Sequence, residues 1–254
     1  MSPRRPPKRL VEASERLAEL DPVTQAMLER IGPADLRRGR PRGEHFAELA
    51  RAITYQQLAG RAAAAIHGRF VALFDGTAPT PEAVLALPVD RLRGAGLSGS
   101  KAASIRDLAA KVVDGSVQLD RIARLPDDEI ERELTLVRGI GPWTAEMFLI
   151  FQLGRLDVWP VGDLGVRKGY ALAWGLPDLP TPKELVAYGE TFRPYRSVAA
   201  WYCWRAVDTV VPDSSASPAP AKKAPGKASM AKAATAKKAA GKATTAGKRA
   251  AGRS

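Results

Sequence analysis

Cysteine is almost missing from this 254-residue chain, and Cys203 is the only one. An intramolecular disulfide, a Cys-rich zinc site and a four-Cys iron–sulfur cluster are therefore excluded. Histidine is nearly as scarce. His45 and His67 lack metal-ligand spacing and read as surface or helix-face residues. No stretch approaches the ~18 uninterrupted apolar residues of a membrane span. The N-terminus, MSPRRPPKRL, has basic residues but none of the apolar run of an export signal behind them. No run of alternating residues reads as a strand. The expectation is an all-α protein of a reducing cytoplasm.

Acid is missing from one region. From Ser214 onward there are eight lysines, two arginines and no Asp or Glu; subtracting those ten from the net +12 leaves +2 for residues 1–213. The body is nearly neutral and the tail is a polycation. That tail is built from Ala, Lys, Pro, Gly and Thr with no aromatic residue. It cannot bury enough apolar surface to offset its ordering entropy, so residues 214–254 are expected to be disordered. Its composition resembles the Lys/Ala-rich tails of nucleoid-associated proteins. Such a tail would attract phosphate in a salt-dependent way without choosing a base.

Residues 1–20 read as a flexible basic N-terminus, and a helical body is expected over 21–213. A first helix is expected from about Asp21, with Pro22 in its first turn. Phe46, Leu49, Ala50 and Ile53 then fall at i, i+3, i+4, i+7, and Ile66, Phe70 and Leu73 continue a helical stripe beyond the Ala59–Gly60 break. Thr80 with Pro81 opens another helix, and Ile130, Leu134 and Val137 share a face behind a likeness of a cap at Asp127. Many short helices joined by Gly/Pro turns suit two small helical lobes.

The chemistry concentrates in LVRGIGPWTAEMFLIF and in DVWPVGDLGVRKG, which follows it. Gly139 and Gly141 let another backbone approach, and Pro142 suits the first position of a helix. Successive backbone N–H groups there make an anion site without side-chain charge. Asp163 then stands alone among Val161, Gly162, Leu164 and Val166. It reads either as a cap for the helix that follows or as a charge that the chemistry needs, and the two roles are compatible.

These segments, together with ITYQQLAGRAAAAIHGRF, GLSGSKAASIRDLA and RPYRSVAAWYCWR, resemble the HhH-GPD superfamily of DNA base-excision glycosylases. The likeness is greatest to its DNA-3-methyladenine glycosylase II branch, which acts on alkylated bases, and covers roughly residues 42–208. It implies a two-lobed α-helical fold with the substrate cleft between lobes, and a helix-hairpin-helix at about 127–153. It also implies a monomer acting on double-stranded DNA carrying alkylated bases, with no membrane partner and a cytoplasmic, nucleoid-associated location. No cofactor is implied beyond room for a structural monovalent cation at the hairpin.

Residue by residue, the resemblance makes Asp163 the catalytic carboxylate. Trp143 stands where strand-nicking relatives carry a Schiff-base Lys, which implies a monofunctional enzyme with water as nucleophile. Trp143, Tyr195 and Trp159 match pocket aromatics; Met147 stands where an aromatic is expected. Gly139, Ile140, Gly141 and Thr144 would hold DNA at the hairpin. Gln57 and Leu58 match the segment that fills the gap left by an extruded base, although a leucine is more often core. Ser98 and Lys101 would touch phosphate, or simply cap a helix. Trp201 and Trp204 read as core packing. The rival readings are a non-catalytic HhH protein that coats DNA and a monofunctional glycosylase for deaminated purines.

Overall fold

The computed structural model describes residues 6–36 and 44–210. The basic tail, and the expectation of disorder attached to it, lie outside the described residues. The described residues all belong to one compact unit.

Every described element is helical. In chain order these are α1 (Lys8–Leu20), α2 (Pro22–Ile31), α3 (His45–Tyr55), α4 (Gly60–Ala72), α5 (Pro81–Ala86) and α6 (Val89–Gly94). There follow α7 (Gly99–Val113), α8 (Asp127–Thr135), α9 (Pro142–Phe148), α10 (Leu164–Trp174), α11 (Pro182–Gly189) and α12 (Arg196–Val210). Local chemistry explains several starts. The Asp21 carboxylate accepts the Thr24 N–H at 2.7 Å with Pro22 just inside α2, and Thr80 caps α5 ahead of Pro81. Thr181 and Glu184 form a reciprocal capping box on α11. At α8 the cap residue is Pro126; Asp127 is already helical and pairs with Arg155 at 3.0 Å.

Packing gathers the helices in three sets. α1, α2, α10 and α12 pack together, joined by the 3-10 turn Glu190–Phe192. α3, α5 and α6 gather on α7, with α4 against α3, while α8 and α9 form the hairpin pair. The largest fully buried side chains, Tyr202, Phe70 and Phe192 among them, belong to one continuous core. Fully burying each such residue is worth about 1.5–3 kcal/mol.

One expectation fails at the start of the chain. Residues 8–20 are not a flexible arm but helix α1, with Leu10, Ala13, Ser14 and Leu17 buried at i, i+3, i+4, i+7. The Pro/Arg-rich opening masked that stripe. Ser14 is kept inside because its hydroxyl donates to Leu10 O at 2.8 Å and accepts from Ala34 N at 3.0 Å.

Two glycines set how closely α10 and α12 approach. A Cβ at Gly169 would overlap the carbonyl group of Cys203 and lie 2.7 Å from its Cα. A Cβ at Gly165 would lie 2.8 Å from Cδ1 of Trp204 and 3.0 Å from Asp163 Oδ1. Only at glycine can α10 lie backbone to backbone against α12. That contact brings the first residue before α10, Asp163, beside a side chain 41 residues later.

Candidate active site

The segment leading to Asp163 is stapled to the start of α12. Arg196 Nε donates to Asp157 Oδ1 at 2.7 Å, Ser197 N to Leu156 O at 2.9 Å, and Val158 N to Ser197 Oγ at 2.9 Å. Asp163 N then donates to Pro160 O at 2.9 Å, closing a turn that aims the side chain inward. The residue is 8 % exposed.

Its carboxylate accepts three hydrogen bonds. Oδ1 takes Val166 N at 2.8 Å and the Trp204 indole N–H at 3.0 Å; Oδ2 takes the Trp143 indole N–H at 2.6 Å. The first is a helix cap, so Asp163 is a cap as well as a site residue. A carboxylate has about four acceptor positions, which leaves one, on Oδ2, free for a ligand. Donors from α9, α10 and α12 fix the group from three directions.

Asp163 lines a cavity of about 450 Å³. Its walls are Trp143 and Met147 from α9, Phe151 from the turn after it, and Trp201, Trp204 and Arg205 from α12, with Asp35 and Asp208 also lining it. Phe151 and Trp204 stack at 5.5 Å between centroids. Phe151 sits in a single π-helical turn, Leu149–Leu153, which follows α9 directly. One-turn π segments of this kind recur at functional sites. On the other side of Trp143 and Met147 is a second cavity of about 820 Å³, which Tyr55, Gln56, Gln57 and Gly139 also line. Trp143 is a shared wall, 48 % exposed, between an aromatic, acidic chamber and an open groove.

Glu146, one turn after Trp143, is half-buried. Burial, and then the charges of Glu131 and Asp163, push its carboxyl up to about 7. α9 therefore carries a carboxyl that changes charge near neutrality, although it lines neither cavity.

The hairpin connects α8 to α9. Gly139 has φ 78 and packs so tightly that a Cβ would lie 2.7 Å from Ser104 Oγ, whereas Gly141 is extended at φ −102. Only the first glycine is demanded by conformation. Across the groove, Gln56 Nε2 donates to Gly139 O at 2.9 Å. Gln57 follows with φ 57, and Leu58 is 37 % exposed beside it, so the apolar tip stands on the surface and not in the core.

Several expected site residues have other places. Trp159 is 7 % exposed, donates its indole N–H to Leu185 O at 2.7 Å and packs on Tyr170 and Phe192. It is a core residue because the chain dives through the body before it reaches Asp163. Tyr195 packs on the core and lines neither cavity. It precedes α12, and Trp204 lies nine residues on, about 13 Å further along the helix, where the cavity opens. Trp204, read from sequence as core, is with Trp143 one of two indoles that donate to Asp163.

Ile140 and Thr144 are 4 % and 5 % exposed, and Thr144 lines the larger cavity. Ser98 caps α7 by accepting Lys101 N at 3.3 Å. Lys101 turns inward, its ammonium donating to Thr54 O and Gln56 O at 2.7 Å each. Sequence reasoning also passed over Gln56, Phe151, Asp35, Arg205 and Asp208. A second Gln in the quoted YQQL was the one available signal.

The geometry has counterparts in known proteins. Residues 50–194 match the model of the HhH-GPD superfamily of base-excision DNA repair proteins. DNA-3-methyladenine glycosylase 1 of Schizosaccharomyces pombe is 36% identical over 198 residues, which is 77% of this chain and 87% of that one. The solved structure of the S. pombe 3-methyladenine DNA glycosylase with abasic DNA superposes with a TM-score of 0.68 at 34% identity, covering 76% of this chain and 95% of that one. A DNA-3-methyladenine glycosidase structure from Bacillus halodurans gives a TM-score of 0.70 at 34% identity over 78% of this chain and 90% of that one. An all-helical body, a glycine hairpin and a buried carboxylate in an aromatic chamber, with these matches along most of the body, place the chain in one family: it belongs to the HhH-GPD superfamily of base-excision DNA repair proteins.

Proposed function

We propose that this protein is a monofunctional DNA glycosylase that extrudes alkylated purines, of the 3-methyladenine and 7-methylguanine type, and hydrolyses their N-glycosidic bond. The observation that carries the reading is Asp163, buried at the wall of an aromatic cavity with an acceptor position of Oδ2 open. A target base must leave the stack before it can be reached. As the C1′–N bond breaks, its electron pair departs with the base and positive charge grows on the sugar. A preorganised carboxylate in a water-poor site stabilises that cation. Water then adds its oxygen to C1′, and the carboxylate can orient it and take its proton.

Alkylated purines are cationic, and each electron-rich ring they meet contributes about 0.5–2 kcal/mol. Trp143, Trp201, Trp204 and Phe151 offer four such rings; Asp35 lines the same cavity, where Asp208 is ion-paired with Arg205. The relatives matching three quarters of the chain carry names for 3-methyladenine release, which supports the same substrate class. Trp143 offers no amine for a Schiff base, and Lys168 is exposed on α10. The hairpin carbonyls of Val137, Gly139 and Gly141 already accept N–H donors. A DNA-coating role without catalysis gains nothing from this carboxylate beyond its cap on α10.

The test is incubation of methylated duplex DNA with the full chain, identifying the bases released and the state of the strand. Free methylated purines and a strand that breaks only on later alkali treatment are expected. Strand nicking with a borohydride-trapped adduct would refute the monofunctional assignment, and binding without release of any base would refute the enzyme.

A further inference from the structure

Lys101 was expected at the phosphate backbone, yet the structure commits it elsewhere. Its ammonium lies 2.7 Å from Thr54 O and 2.7 Å from Gln56 O. These are carbonyls of the C-terminal turn of α3 and of its cap residue, Gln56. Helix C-termini leave such carbonyls without intrahelical donors and carry the negative end of the dipole, so a cation there satisfies both needs. Two of its three N–H groups are used. Burial pushes its pKa down, as suits an ammonium drawn out of water.

The consequence reaches one residue further. Directly after the held carbonyl of Gln56, the chain turns with Gln57 at φ 57 and closes through Leu58 N to Tyr55 O at 3.3 Å, which puts the Leu58 side chain outward. The same face of α7 also sets the hairpin. Ser104, three residues on, packs against Gly139, and Asp107, six on, accepts Arg138 N at 2.7 Å through Oδ2. Gln56 Nε2 to Gly139 O, at 2.9 Å, ties the two parts to each other. One helix face thus fixes the spacing between the exposed Leu58 tip and the hairpin from which α9 carries Trp143 to the cavity.

We propose that Lys101 is a positioning residue for base extrusion: it holds the 54–58 turn so that Leu58 enters the duplex in register with the Asp163 cavity, and it is not a phosphate ligand. The inference rests on the glycosylase reading, since only an enzyme that empties a base from the stack needs a wedge in register.

The experiment compares wild type, Lys101→Met, Lys101→Gln and Leu58→Ala in three measurements on the full chain. The first is the slope of log K against log salt on undamaged duplex. The others are single-turnover release of 7-methylguanine from a paired site and from a site where the same base sits in an unpaired bulge. For Lys101→Met the expected salt slope is that of wild type. Paired-site release should fall on the order of 10–100-fold and bulge release less than about 3-fold, with Lys101→Gln between. Leu58→Ala should show the same paired-against-bulge split, and combining it with Lys101→Met should add little.

A slope reduced by about 0.9 would make Lys101 a phosphate ligand and overturn the proposal. So would equal losses at both sites, which mark a merely structural role. Should Lys101→Met not fold, Lys101→Gln carries the same comparison. Wild type releasing base from neither substrate would instead refute the glycosylase reading, a result distinct from either outcome above.

Discussion

Replacing Gly169 by Ala adds a single methyl group at the place where α10 lies on α12. That methyl would overlap the Cys203 carbonyl and sit 2.7 Å from Cys203 Cα. Carbon atoms pack at about 3.5–4.0 Å, so the helices must part by roughly 1 Å. Trp204 follows Cys203 directly, and its indole N–H reaches Asp163 Oδ1 at 3.0 Å. Adding that displacement takes the bond beyond hydrogen-bond range. Overpacking costs about 1–3 kcal/mol, and losing a hydrogen bond to a charged group adds about 1.5–3 kcal/mol. A total of about 2.5–6 kcal/mol is expected by urea unfolding, with a clear loss of single-turnover base release under conditions where the variant is folded. Gly68→Ala is the control, because Gly68 is an exposed residue inside α4 with nothing within 4 Å of its Cβ position. There the same change should stabilise by about 1 kcal/mol. If Gly169→Ala unfolds within about 0.5 kcal/mol of wild type and keeps its activity, the backbone contact does not position the site.

Two further perturbations test the electrostatics. Folding raises the Glu146 carboxyl from its ordinary 4.5 to about 7, so the native state holds a proton that the unfolded chain releases. Stability is therefore lost as pH rises from about 4.5 to about 7 and is flat above that window. Glu146→Gln should abolish that loss, gaining on the order of 1–2 kcal/mol at pH 8 after solvent screening and nothing at pH 4; an equal effect at both values would show that the carboxyl is not perturbed. Removing residues 214–254 deletes ten positive charges. The salt slope of duplex binding should flatten while single-turnover release stays within about 3-fold of wild type, and an unchanged slope would refute a tethering role for the tail.

What could be read before folding was local. The stripe Phe46, Leu49, Ala50, Ile53 is the buried face of α3, and Asp21, Thr80 and Asp163 cap the helices that their neighbours announced. Capping and periodicity act within four residues, so the chain displays them openly. The hairpin and Asp163 were recognisable because their types and order are specific. Contacts between distant segments were not legible. Trp204 and Trp159 are both tryptophans near apolar residues, yet one meets Asp163 because Gly165 and Gly169 admit α12, and the other is sealed behind Gly189. Lys101 looked like a surface cation in a turn-helix signature; its partners lie 45 and 47 residues earlier. α1 was missed for a different reason, since its stripe Leu10, Ala13, Ser14, Leu17 includes a serine whose burial depends on Ala34.

Asp163→Asn keeps the size of the side chain and removes its charge. The decisive measurement is the single-turnover rate of methylated-base release by this variant, taken beside its affinity for the same duplex. The rate should fall on the order of 10²–10⁴-fold while DNA binding stays within a few-fold of wild type. Release at the wild-type rate would mean that the carboxylate does not stabilise the sugar cation, and the catalytic account would fail.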